Sequence, residues 1–223
     1  MLHENRANVV LVEDHPLFRE QLAHLINKQP DMVVCGEANN AADGLAVINE
    51  QNPSLTIIDI TLKGSNGLEL LKDLRAQGSK VPVLMLSMHP ESLYAERALR
   101  AGANGYITKE EASAKIMTAI RQVLAGEVYL DSRFMNRVVS RILVNPLSNS
   151  ASAIECLTDR ELAVFELIGE GRTTREIGIR LRVSAATVET YRARIKGKLG
   201  LANAGQLHAR ASTWVHERHA VAS

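Results

Sequence analysis

The chain has 223 residues, 46% hydrophobic and 23% charged, which is long for one compact domain and comfortable for two. The net charge of +1 hides a split, because residues 1–128 carry 12 basic and 16 acidic side chains and residues 154–223 carry 11 basic and 8 acidic; a polyanion partner would suit only the second half. The two cysteines, Cys35 and Cys156, lie too far apart for a disulfide framework or a metal-ligand spacing, and both are expected as small core residues. There is no apolar stretch behind positive charge at the start and no run near the roughly 18 apolar residues of a membrane span, so a soluble, cytoplasmic setting is expected.

The first half alternates apolar strands with amphipathic helices. Strands are predicted at residues 8–12, 32–38, 55–59, 81–87 and 105–108. Helices are predicted at 16–29, 41–51, 67–78, 91–102 and 112–126. Five such βα units with continuous apolar strands imply a doubly wound, five-stranded parallel sheet covered on both faces. Ligands of such sheets sit beyond the carboxyl ends of the strands. From residue 129 the pattern changes. Residues 129–153 read as a linker with a possible short helix at 131–143, and everything after reads helical, at 158–171, 173–182, 184–200 and 203–218. The domains expected are therefore 1–128, the linker 129–153, and a small all-α domain at 154–223. Thr158 and Glu161 have the spacing of a capping box.

The strand ends carry the chemistry. "VVLVED" brings Glu13 and Asp14 to the end of the first strand, and "LTIID" brings Asp59 to the end of the third. In the fold inferred, these strands are neighbours, and three carboxylates converging at one rim repel unless a cation joins them. A hard divalent ion with oxygen ligands, Mg²⁺ above all, fits. "LMLS" ends on the Ser87 hydroxyl and "GYITK" on the Lys109 ammonium. A carboxylate nucleophile, a metal site, a hydroxyl and an ammonium are the parts that phosphoryl transfer needs.

Residues 7–126 resemble the receiver domain of two-component response regulators, a flavodoxin-like fold. The resemblance implies that Asp59 accepts a phosphoryl group from a histidine kinase. It also implies that Glu13, Asp14, Asp59 and the backbone carbonyl of Thr61 hold Mg²⁺. Ser87 and Lys109 would bind the phosphoryl group, and Tyr106 would act with Ser87 as the switch. Two positions depart from the family, since Lys63 and Glu110 stand where proline is common; neither change removes a chemical group.

"TTREIGIRLRVSAATVETYRARIKGKLG" reads as helix, tight turn, helix. Ile177, Leu181, Val188, Ile195 and Leu199 are expected in the core, with Ser184 capping the second helix. Arg192, Arg194, Lys196 and Lys198 form a basic surface suited to the major groove. Residues 157–216 are similar to the four-helix helix-turn-helix domain of the NarL/LuxR class. The contacts with double-stranded DNA carried over are Thr174, Arg175, Thr190, Tyr191, Arg192, Arg194 and Lys196. Glu189, where the family often has lysine, is a candidate for accepting a hydrogen bond from cytosine. Gly197 weakens the helix by roughly 1 kcal/mol against alanine, with no reason evident in the pattern.

The reading is a phosphorylation-dependent transcription regulator rather than an enzyme, dimeric when phosphorylated. Two alternatives are a regulator that binds DNA without phosphorylation and an aspartyl phosphatase. The second would need a general acid two residues after the nucleophile, where this chain has Thr61.

Overall fold

The structure, a computed structural model, describes residues 6–88, 91–130 and 153–220. The predicted short helix at 131–143 lies outside the described residues. The chain divides into two compact units, Met1–Pro146 and Leu147–Ser223.

The first unit contains β1 (Ala7–Val12), α1 (Pro16–Asn27), β2 (Met32–Ala38), α2 (Ala41–Gln51), β3 (Leu55–Asp59), a two-residue ribbon β4 (Thr61–Leu62) with β5 (Ser65–Asn66), α3 (Gly67–Ala76), β6 (Val83–Ser87), α4 (Glu91–Arg100), β7 (Gly105–Thr108) and α5 (Lys109–Leu124). Five strands form one parallel sheet in the order β2-β1-β3-β6-β7. Alternate residues face opposite layers. Val9 and Leu11 of β1, Leu55 and Ile57 of β3, and Leu84 and Leu86 of β6 pack with Leu22 and Ile26 of α1 and Ile116 and Ile120 of α5 in one buried cluster. Val10, Val12, Thr56 and Ile58, also fully buried, point into the other layer.

The chain leaves β1 for β2 on one side and places β3 on the other, so the order reverses between β1 and β3. That reversal opens a crevice at the carboxyl ends of both strands. Beyond it, Asn66 caps α3 by accepting a hydrogen bond from the Leu68 amide at 2.7 Å. Gly67 lets the helix start against β3, because a Cβ there would lie 2.1 Å from the Asp59 carbonyl oxygen.

The start of α5 and the place of Tyr129 differ from the sequence expectation. Helix α5 begins at Lys109, three residues earlier than predicted, because Thr108 caps it by accepting from the Glu111 amide and Glu110 and Glu111 fill its first turn. Tyr129, expected as the first linker residue, lies beside β7. Its carbonyl accepts from the Tyr106 amide at 2.9 Å, its own amide donates to the Asn104 carbonyl at 3.1 Å, and its side chain is 8% exposed within the α1–α5 cluster. Gly105 permits this approach, since a Cβ there would sit 3.1 Å from both the Tyr129 carbonyl oxygen and its Cβ.

The second unit has a 3₁₀ turn (Ala153–Cys156) followed by α6 (Asp159–Gly169), α7 (Thr174–Leu181), α8 (Ala185–Leu199) and α9 (Ala204–Ala220). The expected capping box of Thr158 and Glu161 starts α6, and a second, formed by Thr173 and Glu176, starts α7. Ser184 caps α8 by accepting from the Thr187 amide. Phe165, Ile177, Leu181, Val188, Ile195, Leu207 and Val215 are buried, and Phe165 stands 5.5 Å from Trp214 between ring centroids. The turn between α7 and α8 is tight. Arg182 takes the left-handed conformation at φ 54°, and a Cβ on Gly178 would meet the Val183 carbonyl oxygen at 2.8 Å. Cys35 is half-buried and Cys156 exposed. This corrects the core placement expected for Cys156, which ends the 3₁₀ turn with its Sγ 3.9 Å from the Lys198 carbonyl oxygen.

Candidate functional site

Glu13 and Asp14 after β1, Asp59 at the end of β3 and Lys109 after β7 meet in one pocket. Glu13, Asp14, Asp59, Ser87, Tyr106 and Lys109 are all buried, and Asp59, Ser87 and Tyr106 have no exposed surface. The Lys109 ammonium lies 2.9 Å from Asp59 Oδ2 and 2.6 Å from Glu13 Oε2, and 4.9 Å from the ring centroid of Phe18 on α1. The Thr61 amide donates to Asp59 Oδ1 at 3.2 Å. The turn after β1 is held by Arg19, which donates to the Glu13 carbonyl at 2.8 Å and to Glu37 Oε2 at 2.9 Å.

The charges do not balance. Among the described residues, three buried carboxylates meet one buried ammonium. Burial, and then the Glu13 charge, raise Asp59 to about 7, against the opposing pull of Lys109 and the Thr61 amide. For Lys109, burial alone would favour the neutral amine, but the Asp59 and Glu13 carboxylates outweigh it and the net shift is upward. The pocket is therefore anionic and short of water, the condition under which a cation is drawn in. Its donors fit a hard divalent ion. One ligand atom from each of Glu13, Asp14, His15 and Asp59 lies within 4.8 Å of the others, so the donors are gathered as a cation site gathers them.

His15 was not anticipated from sequence. It is the first residue beyond the acidic pair and the N-cap of α1, where it makes no side-chain cap. Its Nδ1 instead lies 3.0 Å from Glu13 Oε1 and 3.0 Å from Asp14 Oδ1, and its amide donates to Glu13 Oε1 at 2.8 Å. The signal available was position alone, a histidine adjoining two rim carboxylates.

In the second unit, α8 follows the tight turn and displays Thr190, Ala193, Arg194 and Gly197 outward. Ala186, Thr190, Ala193 and Gly197 share one face at i, i+4 and i+3 spacing, and a Cβ on Gly197 would meet nothing within 4 Å. This exposed ridge of small residues leaves the α8 backbone little screened by side chains on that face. Arg175, Thr190 and Arg194 are exposed, while Thr174, Tyr191, Arg192 and Lys196 are half-buried. Lys198 is committed internally, 2.6 Å from Glu161 Oε2 and 3.2 Å from the Cys156 carbonyl. It stays on the surface, paired to α6 through its ammonium. Arg192 and Glu189 are also tied into contacts with Thr174 and His208, so they do not stand as independent groups on the surface.

Against known families, residues 9–121 match the response regulator receiver domain, and residues 155–211 match the bacterial regulatory proteins of the luxR family. The chain belongs to the response regulators. This response regulator is 34% identical to the transcription regulator BvgA of Bordetella pertussis (strain Tohama I), over 86% of its own length and 90% of that protein's. It is 30% identical to the nitrate/nitrite response regulator NarL of Escherichia coli (strain K12), over 97% of its length and 98% of that protein's. A crystal structure of a LuxR-family two-component response regulator from Aurantimonas sp. SI85-9A1 superposes with a TM-score of 0.58 at 31% identity, covering 62% of this chain and 99% of that one. The response regulator thus joins a receiver domain to a LuxR-type helix-turn-helix domain and is a transcription regulator of a two-component system. Among its described residues no helix is long and apolar enough to cross a membrane.

Proposed function

We propose that this response regulator accepts a phosphoryl group on Asp59 from a histidine kinase, with Mg²⁺ held by Glu13, Asp14, Asp59 and the Thr61 carbonyl, and that the phosphorylated receiver favours a DNA-binding homodimer. The observation that carries the reading is the fully buried Asp59 carboxylate with Lys109 2.9 Å away, beside two further buried carboxylates at one rim of the sheet. An Asp59 oxygen attacks the phosphorus of a phosphohistidine. The new O–P bond forms as the N–P bond breaks, and the imidazole leaves and takes up a proton. The bound cation supplies charge neutralisation for the phosphoryl oxygens.

The chain's own residues do the rest. Lys109, already between Asp59 and Glu13, turns from the carboxylates to the phosphoryl oxygens, and the Ser87 hydroxyl donates to them. Tyr106, two positions before the α5 cap on the strand paired with β6, is buried next to Ser87's strand and follows that hydroxyl when it moves. These small shifts bias the receiver toward the dimer-competent state, and a dimer reads paired half-sites in duplex DNA through α8.

Intact-mass analysis after incubation with a small acyl-phosphate donor tests this reading, wild type beside Asp59→Asn, with and without Mg²⁺. A single phosphoryl adduct is expected on the wild type in the presence of the cation, and none on the variant. An adduct of equal size on Asp59→Asn would overturn the assignment.

A further inference from the structure

The outer side of α8, which faces a polyanion in the reading above, carries a carboxylate. Glu189 Oε1 accepts a hydrogen bond from Thr174 Oγ1, in the first turn of α7, at 2.8 Å. The same oxygen lies 3.7 Å from Arg192 Nε. Arg192 Nη1 donates to Thr174 Oγ1 at 3.3 Å, and its Nη2 lies 3.4 Å from His208 Nε2 on α9. Arg192 is itself withdrawn, with a side chain 13% exposed, whereas the Glu189 side chain is 61% exposed. A hydroxyl and a guanidinium thus converge beside the start of a helix, and the anion they hold is the protein's own.

That donor set is the kind that protein–DNA interfaces direct at backbone phosphate, where hydroxyls, guanidinium groups and helix N-termini share the oxygens. Thr174 holds Glu189 Oε1 against the start of α7. We propose that Glu189 is an internal phosphate mimic. It occupies an anion position built by Thr174 and Arg192 and so suppresses binding to DNA of arbitrary sequence. Specificity is a ratio of affinities, and lowering the weaker one raises it without adding any contact to the operator. Glu189 is in this sense a specificity-determining residue that touches no base. The inference rests on the DNA-binding reading of the second unit.

The test uses the full chain and random-sequence duplex DNA, with binding followed by fluorescence anisotropy over a series of salt concentrations. Glu189→Gln keeps the size and the acceptor but removes the charge. The expected result is roughly fivefold tighter binding to random duplex, with the salt dependence steepened by about one phosphate contact. In a Thr174→Val background, which lacks the anchoring hydroxyl, the gain from Glu189→Gln should shrink. Unchanged or weaker binding by Glu189→Gln, while the wild type binds in a salt-dependent manner, would overturn the mimic alone. Absence of salt-dependent binding by both proteins would overturn the DNA-binding reading and the mimic with it. Matching thermal transitions would establish that affinity rather than folding is compared.

Discussion

Replacing Lys109 by methionine removes a charge while nearly conserving side-chain volume, so its effect isolates the electrostatics of the pocket. The lysine side chain is 6% exposed and the Glu13 and Asp59 side chains are 1% exposed, at 2.6 and 2.9 Å. Breaking a buried pair from one side costs about 3–5 kcal/mol, because the remaining charge keeps its desolvation penalty. Here Glu13 and Asp59 are left behind, and proton uptake by Asp59 limits the loss at neutral pH without a divalent cation. The sign of the pH dependence follows from Asp59. Its folded value, about 7, lies above the unfolded value of roughly 3.9, so the folded state binds the proton more tightly and stability falls as pH rises between the two. Without Lys109 the folded value moves higher still, and the window extends upward. The deficit of Lys109→Met relative to wild type is therefore expected to be smaller at about pH 5 and larger at about pH 8. Urea denaturation with a chelator present, repeated with millimolar Mg²⁺, measures it. The cation should recover part of the loss, since it binds only the folded cluster. An equal deficit at both pH values, untouched by Mg²⁺, would refute the claim that unbalanced buried charge governs the pocket.

Other expectations follow from single contacts. Gly67→Ala drives a Cβ to 2.1 Å from the Asp59 carbonyl, and should cost about 1–3 kcal/mol by thermal unfolding and reduce phosphoryl uptake by intact mass; an unchanged Tm would contradict the geometry. The Thr56 hydroxyl is fully buried and makes no hydrogen bond among the described residues, so Thr56→Val should stabilise by about 1 kcal/mol in urea melts. Arg75 donates to the carbonyls of Ser79, Val81 and Gly102, knitting the loops that follow α3 and α4. Arg75→Met should lower the urea midpoint by an amount equivalent to about 2–3 kcal/mol, and a shift below about 0.5 kcal/mol would show those bonds to be replaceable by water.

The elements of the first unit were legible because each strand is a continuous apolar run and each helix has a stripe. Once the sheet order is known, the strand-end residues Glu13, Asp14, Asp59 and Lys109 have nowhere to go but one rim. The pocket was readable for that reason, although its members are up to 96 residues apart in sequence. What sequence did not show is local competition and cross-helix pairing. Lys109 was read as the end of a strand, whereas the Thr108 cap and two glutamates make it the first residue of α5. His15 carries no periodic signal, and sequence alone does not show that it folds back on the carboxylates behind it. On α8, helical spacing separated core from surface correctly at Val188 and Ile195. It could not reveal that Lys198 is held by Glu161 from α6, or that Arg192 is held by Thr174 from α7, because periodicity describes one helix and such contacts need two.

The placement of Tyr129 has a consequence for the boundary of the first unit. A terminal β-strand offers a row of unpaired amides and carbonyls to any passing chain, and folded proteins shield such strands from edge-to-edge association. Tyr129 does that shielding for β7, engaging the Tyr106 amide and the Asn104 carbonyl. A fragment severed just before Tyr129 would retain every strand and helix of the sheet domain and yet bare a sticky margin beside Tyr106, so self-association would trouble it before unfolding did.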